Sequence, residues 1–426
     1  MEGTRKHATA VALLVLLCFV HQTAGASNTS AVFAATDAGA VQINSSDPRV
    51  HPVLLNGLDV LSIISAQEST NKEQQSMLSM QAEVIADHTR DISRMQQELC
   101  RLKSPTLDRI AGSLSGAQKW DGGVLASNGL IYGVPFSATS VLIINPTTHT
   151  LDTTTIAGLP SATYKWNSGV LAPNNNVIYC FPFSHDSVLK IDPATNTADW
   201  TTITGTGAGT HKFRSGVLAN NGLIYGVPYN ADHVLIVNPA TDEVDTTTLS
   251  GVKPGNDWKW WGGAVVPDGR IFCMPHYADA VLIIHPDTNT LDTTSLAGLG
   301  LTGSGKWADG ILVGNGLVFG VPRSSSSVLI INPSLLTTST SAITGLNGAD
   351  KWGGGVLATN GKVVGIPRDA NSVLIIDPNT ETADTTSLQD AGAGSDKYHG
   401  GVLAPNGLIF AIPYSADSVL VIDAGC

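Results

Sequence analysis

Three observations predict an all-β fold, a seven-bladed β-propeller closed by its N-terminal strand and preceded by a helical coiled-coil stalk. A Lys-aromatic pair recurs at Lys119, Lys165, Lys212, Lys259, Lys306, Lys351 and Lys397, at intervals of 45 to 47 residues, the period of a repeat array rather than of independent domains. Each copy holds four short runs rich in Val, Ile and Thr, separated by Gly, Asn or Pro, which is the pattern of short strands joined by tight turns. The last copy stops at Asp423 without its fourth run, and the missing piece stands upstream of the first copy: Thr106 to Gly112 parallels Thr150 to Gly158.

The elements follow in chain order. Residues 1–26 read as a secretory signal peptide, with Arg5 and Lys6 before the apolar run Ala8 to Val20 and a small-residue cleavage site at Ala24-Gly25-Ala26; an uncleaved signal anchor is the competing reading. Nothing later approaches the ~20 apolar residues of a membrane span. Cleavage would remove Glu2, Arg5 and Lys6 and leave the mature chain one unit more negative than the −12 of the full sequence. That balance gives no electrostatic reason to bind nucleic acid. The expected location is extracellular or at a cell surface.

Residues 27–57 are rich in Ala, Ser, Thr and Asn without periodicity, a flexible leader with glycosylation sequons at Asn28 and Asn44. Over 58–103 the texture changes to Gln, Glu, Met and Ile, and Ile64, Asn71, Leu78, Ile85, Ile92 and Leu99 repeat every seven residues. That heptad predicts a self-associating coiled coil, hence a homo-oligomer; a single amphipathic helix packed on the propeller is the alternative. Residues 104–426 form the propeller, whose ring closure removes the free sheet edge that invites aggregation.

The strand LIYGVP, the strand and turn SVLIINPTTHT and their clearest copy, Val373 to Thr382, make the stretch from Pro105 to Cys426 resemble kelch and YVTN-type propeller repeats. One departure stands out: the second strand ends in Val134-Pro135 or Val227-Pro228 rather than Gly-Gly, and pairs such as Gly122-Gly123 and Gly400-Gly401 open the first strand instead. The resemblance implies a propeller with a habit of binding partners. It carries no catalytic residues.

The aromatics after the seven lysines, Trp120, Trp166, Phe213, Trp260, Trp307, Trp352 and Tyr398, share a face with loop positions Thr139, Asp186, Asp232, Asp279, Ser326, Asn371 and Asp417. One reading is carbohydrate recognition, with rings stacking on sugar faces and carboxylates or amides accepting from hydroxyls, multiplied by avidity. The other is packing, each aromatic wedged between blades and each Lys paired with a loop Asp. Trp258 and Trp261 flank Trp260, so if one blade is specialised it is this one.

The catalytic inventory is thin. His211, His276, His285 and His399 stand at inequivalent repeat positions, and no metal-binding spacing of His or Cys occurs. Gly300 to Lys306 mimics a phosphate loop but continues into Trp307 where Ser or Thr is required. No cofactor is expected, and the loop acids fit strand capping better than calcium. Cys180 and Cys273 replace small second-strand residues such as Gly133 and Gly226 and are expected unpaired. Cys100 and Cys426 are placed by repeat alignment to meet at the closing blade as a disulfide clasp, or Cys100 links two chains. The expected function is a secreted, non-catalytic binding or adhesion module for glycans or surface proteins. The alternatives are a structural component of an extracellular filament or coat, and a lactonase- or lyase-like propeller enzyme. The enzyme needs one asymmetric central pocket, which near-identical copies speak against.

Overall fold

A computed structural model describes residues 62–95, 104–112, 114–252, 258–299 and 305–425 in full. Upstream it assigns backbone pairing to two short antiparallel hairpins, Ala31–Ala35 with Val41–Ser45 and Leu54–Leu55 with Leu58–Asp59. The glycosylation candidate Asn44 falls in one of these strands; Asn28 lies outside the described residues, as do the side chains of both clasp candidates, Cys100 and Cys426.

The helix α1 spans Val60–Leu102. Its heptad residues Ile64, Leu78, Ile85 and Ile92 are all exposed, as are Ile63, Met77, Met80 and Val84. An α-helix stabilised mainly by the burial of one face here carries an uncovered apolar row. Arg90 with Asp87 and Arg94 with Asp91 add i,i+3 ion pairs on its surface. Among the described residues, no helix is long and apolar enough to cross a membrane.

The propeller has seven four-stranded antiparallel blades. Blade 1 runs Trp120–Leu125, Ile131–Pro135, Leu142–Asn145 and Thr150–Asp152, and the first strands of blades 2 to 7 begin at Trp166, Phe213, Trp260, Trp307, Trp352 and Tyr398. Blade 7 takes its fourth strand from the other end of the domain: Ser418–Asp423 pairs with Thr106–Ala111 over six residues, Asp423 opposite Thr106 and Ser418 opposite Ala111. The closure expected from the repeat alignment is therefore present.

Seven apolar cores lie between successive blades, including the one that joins blade 7 to blade 1 through Val419, Phe410, Trp120 and Ile144. Second strands are buried along their whole length, save Val177 at the start of that of blade 2, because both faces meet a neighbouring blade. This explains the glycine of the first strand. A Cβ on Gly216 would overlap the Phe181 ring of the preceding blade, and one on Gly401 would press on Ile366. Cys180 and Cys273 are buried and unpaired, filling the same interblade layer; burial pushes both thiols well up from their usual range.

Candidate functional site

The Lys-aromatic pairs are scaffold. Trp166, Phe213, Trp260 and Trp307 have no exposed surface, and Trp120, Trp352 and Tyr398 have no more than 4 %. Each packs between its own blade and the one before, Trp260 among Val217, Tyr225 and Leu282 for example. Every Trp indole donates to a carbonyl about twenty residues on, Trp166 Nε1 to the Ser187 oxygen at 2.7 Å and Trp307 Nε1 to that of Ser327 at 2.8 Å. A sugar therefore has no ring face to stack on in this set. The loop residues Asp186, Asp232, Asp279, Asn371 and Asp417 are exposed at the rim, and none lines the central cavity. The expected ring of aromatics beside acceptors is corrected to a buried ring and a separate exposed one.

The expected Lys-Asp pairing is corrected as well. Lys165 Nζ donates to the carbonyls of Ala162 at 2.9 Å and Ala138 at 3.0 Å, and Lys119 Nζ to Gly116 at 2.7 Å and Ala416 at 2.9 Å. The ammonium ties the incoming linker to the second-to-third-strand loop of the preceding blade. Burial lowers the Lys165 amine to about 8.

The site lies one residue further on. In six blades the first strand carries a bulge just after the wedge aromatic, and in blade 2 one residue later, after Asn167; bulges re-aim side chains. The residues there are Asp121, Asn167, Arg214, Trp261, Ala308, Gly353 and His399. All seven differ. First strands of adjacent blades touch around the whole ring, so this position faces the axis. A second variable position follows the Pro of each second strand: Phe136, Phe183, Tyr229, His276, Arg323, Arg368 and Tyr414. A third precedes each Lys: Gln118, Tyr164, His211, Trp258, Gly305, Asp350 and Asp396, all with φ between 51° and 66°. Left-handed backbone suits Gly305; at Tyr164, His211 and Trp258 it costs of order 1–2 kcal/mol each.

All of these residues but Asn167, Ala308, Gly353 and Asp396 line one bowl of about 540 Å³. Phe136, Phe183, Tyr229, Trp261, Ala308 and Tyr414, from six of the seven blades, pack together on the axis and form its floor. Rings continue up one side: Tyr164 lies 5.2 Å from Phe136, Tyr229 is nearly parallel to Trp258 at 6.1 Å, and Trp258 meets Tyr277 edge-on at 5.2 Å. Trp258 and Tyr277 keep 39 % and 38 % of their surface exposed.

The other side is a polar arc. Arg323 donates to His276 Nε2 at 2.8 Å and pairs with Asp350 at 2.6 Å; Arg368 pairs with the same Asp350 oxygen at 3.0 Å and donates to His399 Nε2 at 3.0 Å. Arg368 also meets Asp396. His399 Nδ1 lies 3.3 Å from Asp121, which receives Arg214 at 2.7 Å. The Arg214 guanidinium sits 3.8 Å from the Trp261 ring centre and that of Arg323 4.5 Å from it, so the indole is engaged by two cations.

Because an arginine can only donate, the ε nitrogens of both His276 and His399 are acceptors, and in His276 the δ nitrogen carries the proton, aimed at the Trp258 carbonyl 3.2 Å away. Burial, reinforced by Arg323, lowers the His276 imidazole well below its ordinary range. Burial opposes the Asp121 carboxylate, but Arg214 and His399 outweigh it and hold Asp121 well below the usual carboxylate range. The basic nitrogen of each imidazole is thus capped by a guanidinium, a poor arrangement for a general base.

Under the floor a smaller cavity of about 120 Å³ shares Asp121, Arg214 and Trp261 with the bowl and is otherwise lined by glycines, Ser168, Ser215 and Asp309. Asp309 accepts from the Gly355 amide at 3.3 Å, and burial raises its carboxyl to about 6. No cluster of three or more metal-ligating side chains occurs among the described residues.

The invariant column, the most visible in the sequence, is frame; of the residues remarked on in the sequence, Trp258, Trp261, His211, His276 and His399 line the bowl, the histidines at the inequivalent positions that gave no catalytic motif. The expectation that near-identical copies leave no specialised pocket is overturned, because the copies differ at the three positions that converge. Reading down each column of the repeat would have found the site.

No protein-family model and no curated protein matches the chain. Among solved structures it is similar to a streptogramin B lyase at 11 % identity and a TM-score of 0.61, covering 75 % of this chain and 97 % of that one. It is similar to the extracellular domain of a hybrid two-component system from B. thetaiotaomicron at 13 % and 0.57, covering 74 % and 42 %. The WD40 propeller domain of Doa1 matches at 11 % and 0.55, covering 74 % and 96 %. At such identities the shared property is the propeller fold.

Proposed function

We propose that this protein is a secreted binding module that takes a saccharide end into its axial bowl, with α1 gathering several copies. The observation that carries the reading is the bowl's division into an open aromatic side, Trp258 and Tyr277, and an arc of mutually paired Arg, Asp and His side chains. Rings support the apolar face of a pyranose, and fixed guanidinium and carboxylate groups offer donors and acceptors to its hydroxyls. The closed floor favours a chain end over the middle of a strand. The capped imidazoles speak for recognition over turnover.

Glycan-array binding by the mature protein tests this, and no signal on any saccharide would overturn it. Mass in solution with and without residues 58–103 tests the oligomer; the exposed row Leu78, Ile85, Ile92 is expected to make the full protein larger than a monomer and the truncated one monomeric. A lyase-like enzyme is the second reading, favoured by the pocket's asymmetry. It requires a base freed from its arginine, so product formation that survives replacement of both His276 and His399 would exclude these imidazoles as the base.

A further inference from the structure

Charge is distributed unevenly along the polar arc of the bowl. Its lining holds three guanidiniums, Arg214, Arg323 and Arg368, against two carboxylates, Asp121 and Asp350. Arg214 and Asp121 neutralise one another at 2.7 Å. Arg323 and Arg368 are left with one acid between them, and both reach the same oxygen of Asp350, at 2.6 and 3.0 Å. Neither nitrogen that makes this approach, Arg323 Nε or Arg368 Nη1, completes a hydrogen bond there. Just outside the lining, Asp369 and Asp396 are matched by Lys351 and Lys397, so one positive charge stays uncompensated. Asp309, beneath the floor, lies on the Arg214 side and is mostly protonated below about pH 6. The side chains of the arc register the surplus: burial first and the neighbouring Arg368 second lower the Arg323 guanidinium from its usual range, and burial and then Arg323 lower His276.

Two guanidiniums converging on one carboxylate oxygen make an anion site, and its present occupant belongs to the protein itself. Asp350 fills the site from the linker ahead of blade 6, with left-handed backbone at φ 51°, and keeps 38 % of its side chain exposed. An incoming carboxylate can therefore take its place without deeper burial. The aromatic wall adjoins this point: His276, which accepts from Arg323 at 2.8 Å, has its ring 5.0 Å from that of Tyr277. Tyr277 in turn meets Trp258, and these two rings are the open ones at the mouth. A pyranose lying on them would carry a carboxylate substituent toward the arginine pair, where a planar guanidinium fork matches a planar anion. Resting on the saccharide reading above, we propose that the bowl selects a chain end that is a sugar acid, a uronic acid unit whose carboxylate takes over the Asp350 position against Arg323 and Arg368.

Calorimetric titration of the mature protein tests this with tetramers of galacturonate, glucuronate and mannuronate and with the methyl ester of each. At about pH 5 and low salt, where a carboxylate is ionised and its ester carries no charge, at least one free acid is expected to bind about tenfold or more tighter than its own ester. That advantage shrinks severalfold as salt is raised. Asp350→Ala uncovers the two arginines and is expected to tighten the free acid severalfold while leaving the ester nearly unchanged. Arg368→Gln is expected to remove most of the free acid's advantage. Far-ultraviolet circular dichroism shows whether each variant is folded, and the acid-to-ester ratio of the parent protein stands independently of both. Equal affinities within every acid and ester pair, tighter binding of the ester, or a glycan array on which neutral sugars alone bind would overturn the acid assignment and leave the saccharide site standing. Weaker acid binding by a folded Asp350→Ala variant would overturn the displacement of Asp350. Binding of none of the six probes, with a silent glycan array, would overturn the site itself.

Discussion

Trp260 and Trp261 are neighbours in the chain and belong to different parts of the molecule. Trp260 stands in a column that is aromatic in all seven blades, and it is shut between blades 3 and 4. Trp261 stands in a column where no two blades agree, and it faces the bowl between two guanidiniums. A bulge separates the two roles. What every copy repeats is what blade packing demands, and what varies from copy to copy is what the axis uses. In a closed repeat fold, symmetry builds the frame and broken symmetry builds the site.

The comparison breaks most visibly if a frame residue proves to be a ligand residue. Trp260→Ala should destabilise the propeller by about 3–5 kcal/mol, the cost of emptying a large buried aromatic site, measured by chemical denaturation, while leaving ligand affinity unchanged in the folded fraction. Loss of affinity without loss of stability would reverse the assignment.

A site residue should behave in the opposite sense. Asp309→Asn should stabilise the fold at neutral pH by up to about 3 kcal/mol. The sign follows from linkage: its folded carboxyl is raised to about 6 from an ordinary 3.8, so between those values the folded protein holds a proton that the unfolded chain has shed. Stability therefore falls as pH climbs from about 4 to 6 and stays lower above that. Thermal unfolding across this window should lose that slope in the variant; an unchanged slope would show that Asp309 is not its source.

Tyr277→Ala, at the open mouth, should weaken ligand binding about tenfold, equivalent to ~1.4 kcal/mol, with a melting temperature within a degree or two of the parent; a large stability loss would place Tyr277 in the frame. Asp232→Ala, in the exposed loop ring and 75 % exposed, should change stability by no more than about 0.5 kcal/mol and affinity not at all. A measurable affinity loss there would revive the outer ring as a second ligand surface.

The frame was readable because its signals are periodic. A strand run bounded by Gly or Pro, the Lys-aromatic column and the displaced copy at Thr106 all repeat or complete a repeat, and each corresponds to a strand or a wedge in the structure. The Lys partners were not readable: a lysine column beside a column of loop acids suggests ion pairs, but the ammonium groups of Lys119 and Lys165 instead reach backbone carbonyls of Gly116, Ala138, Ala162 and Ala416, which no side-chain pattern announces. The bowl was missed for a related reason. Asp121, Arg214 and His399 are 93 and 185 residues apart in the chain, and a search for local motifs cannot join them. Only the shared repeat position does so.

The pairing of Thr106–Ala111 with Ser418–Asp423 has a consequence in time. The chain emerges from its N-terminus, so one edge strand of the last blade is made more than three hundred residues before the strand it must hydrogen-bond. Six blades can collapse as they are delivered, through contacts that are local in sequence. The ring itself waits for Ser418–Asp423, and that long-range step is the slow, exposed one in folding. A chain without Ser418–Asp423 would hold six complete blades and still be an open arc.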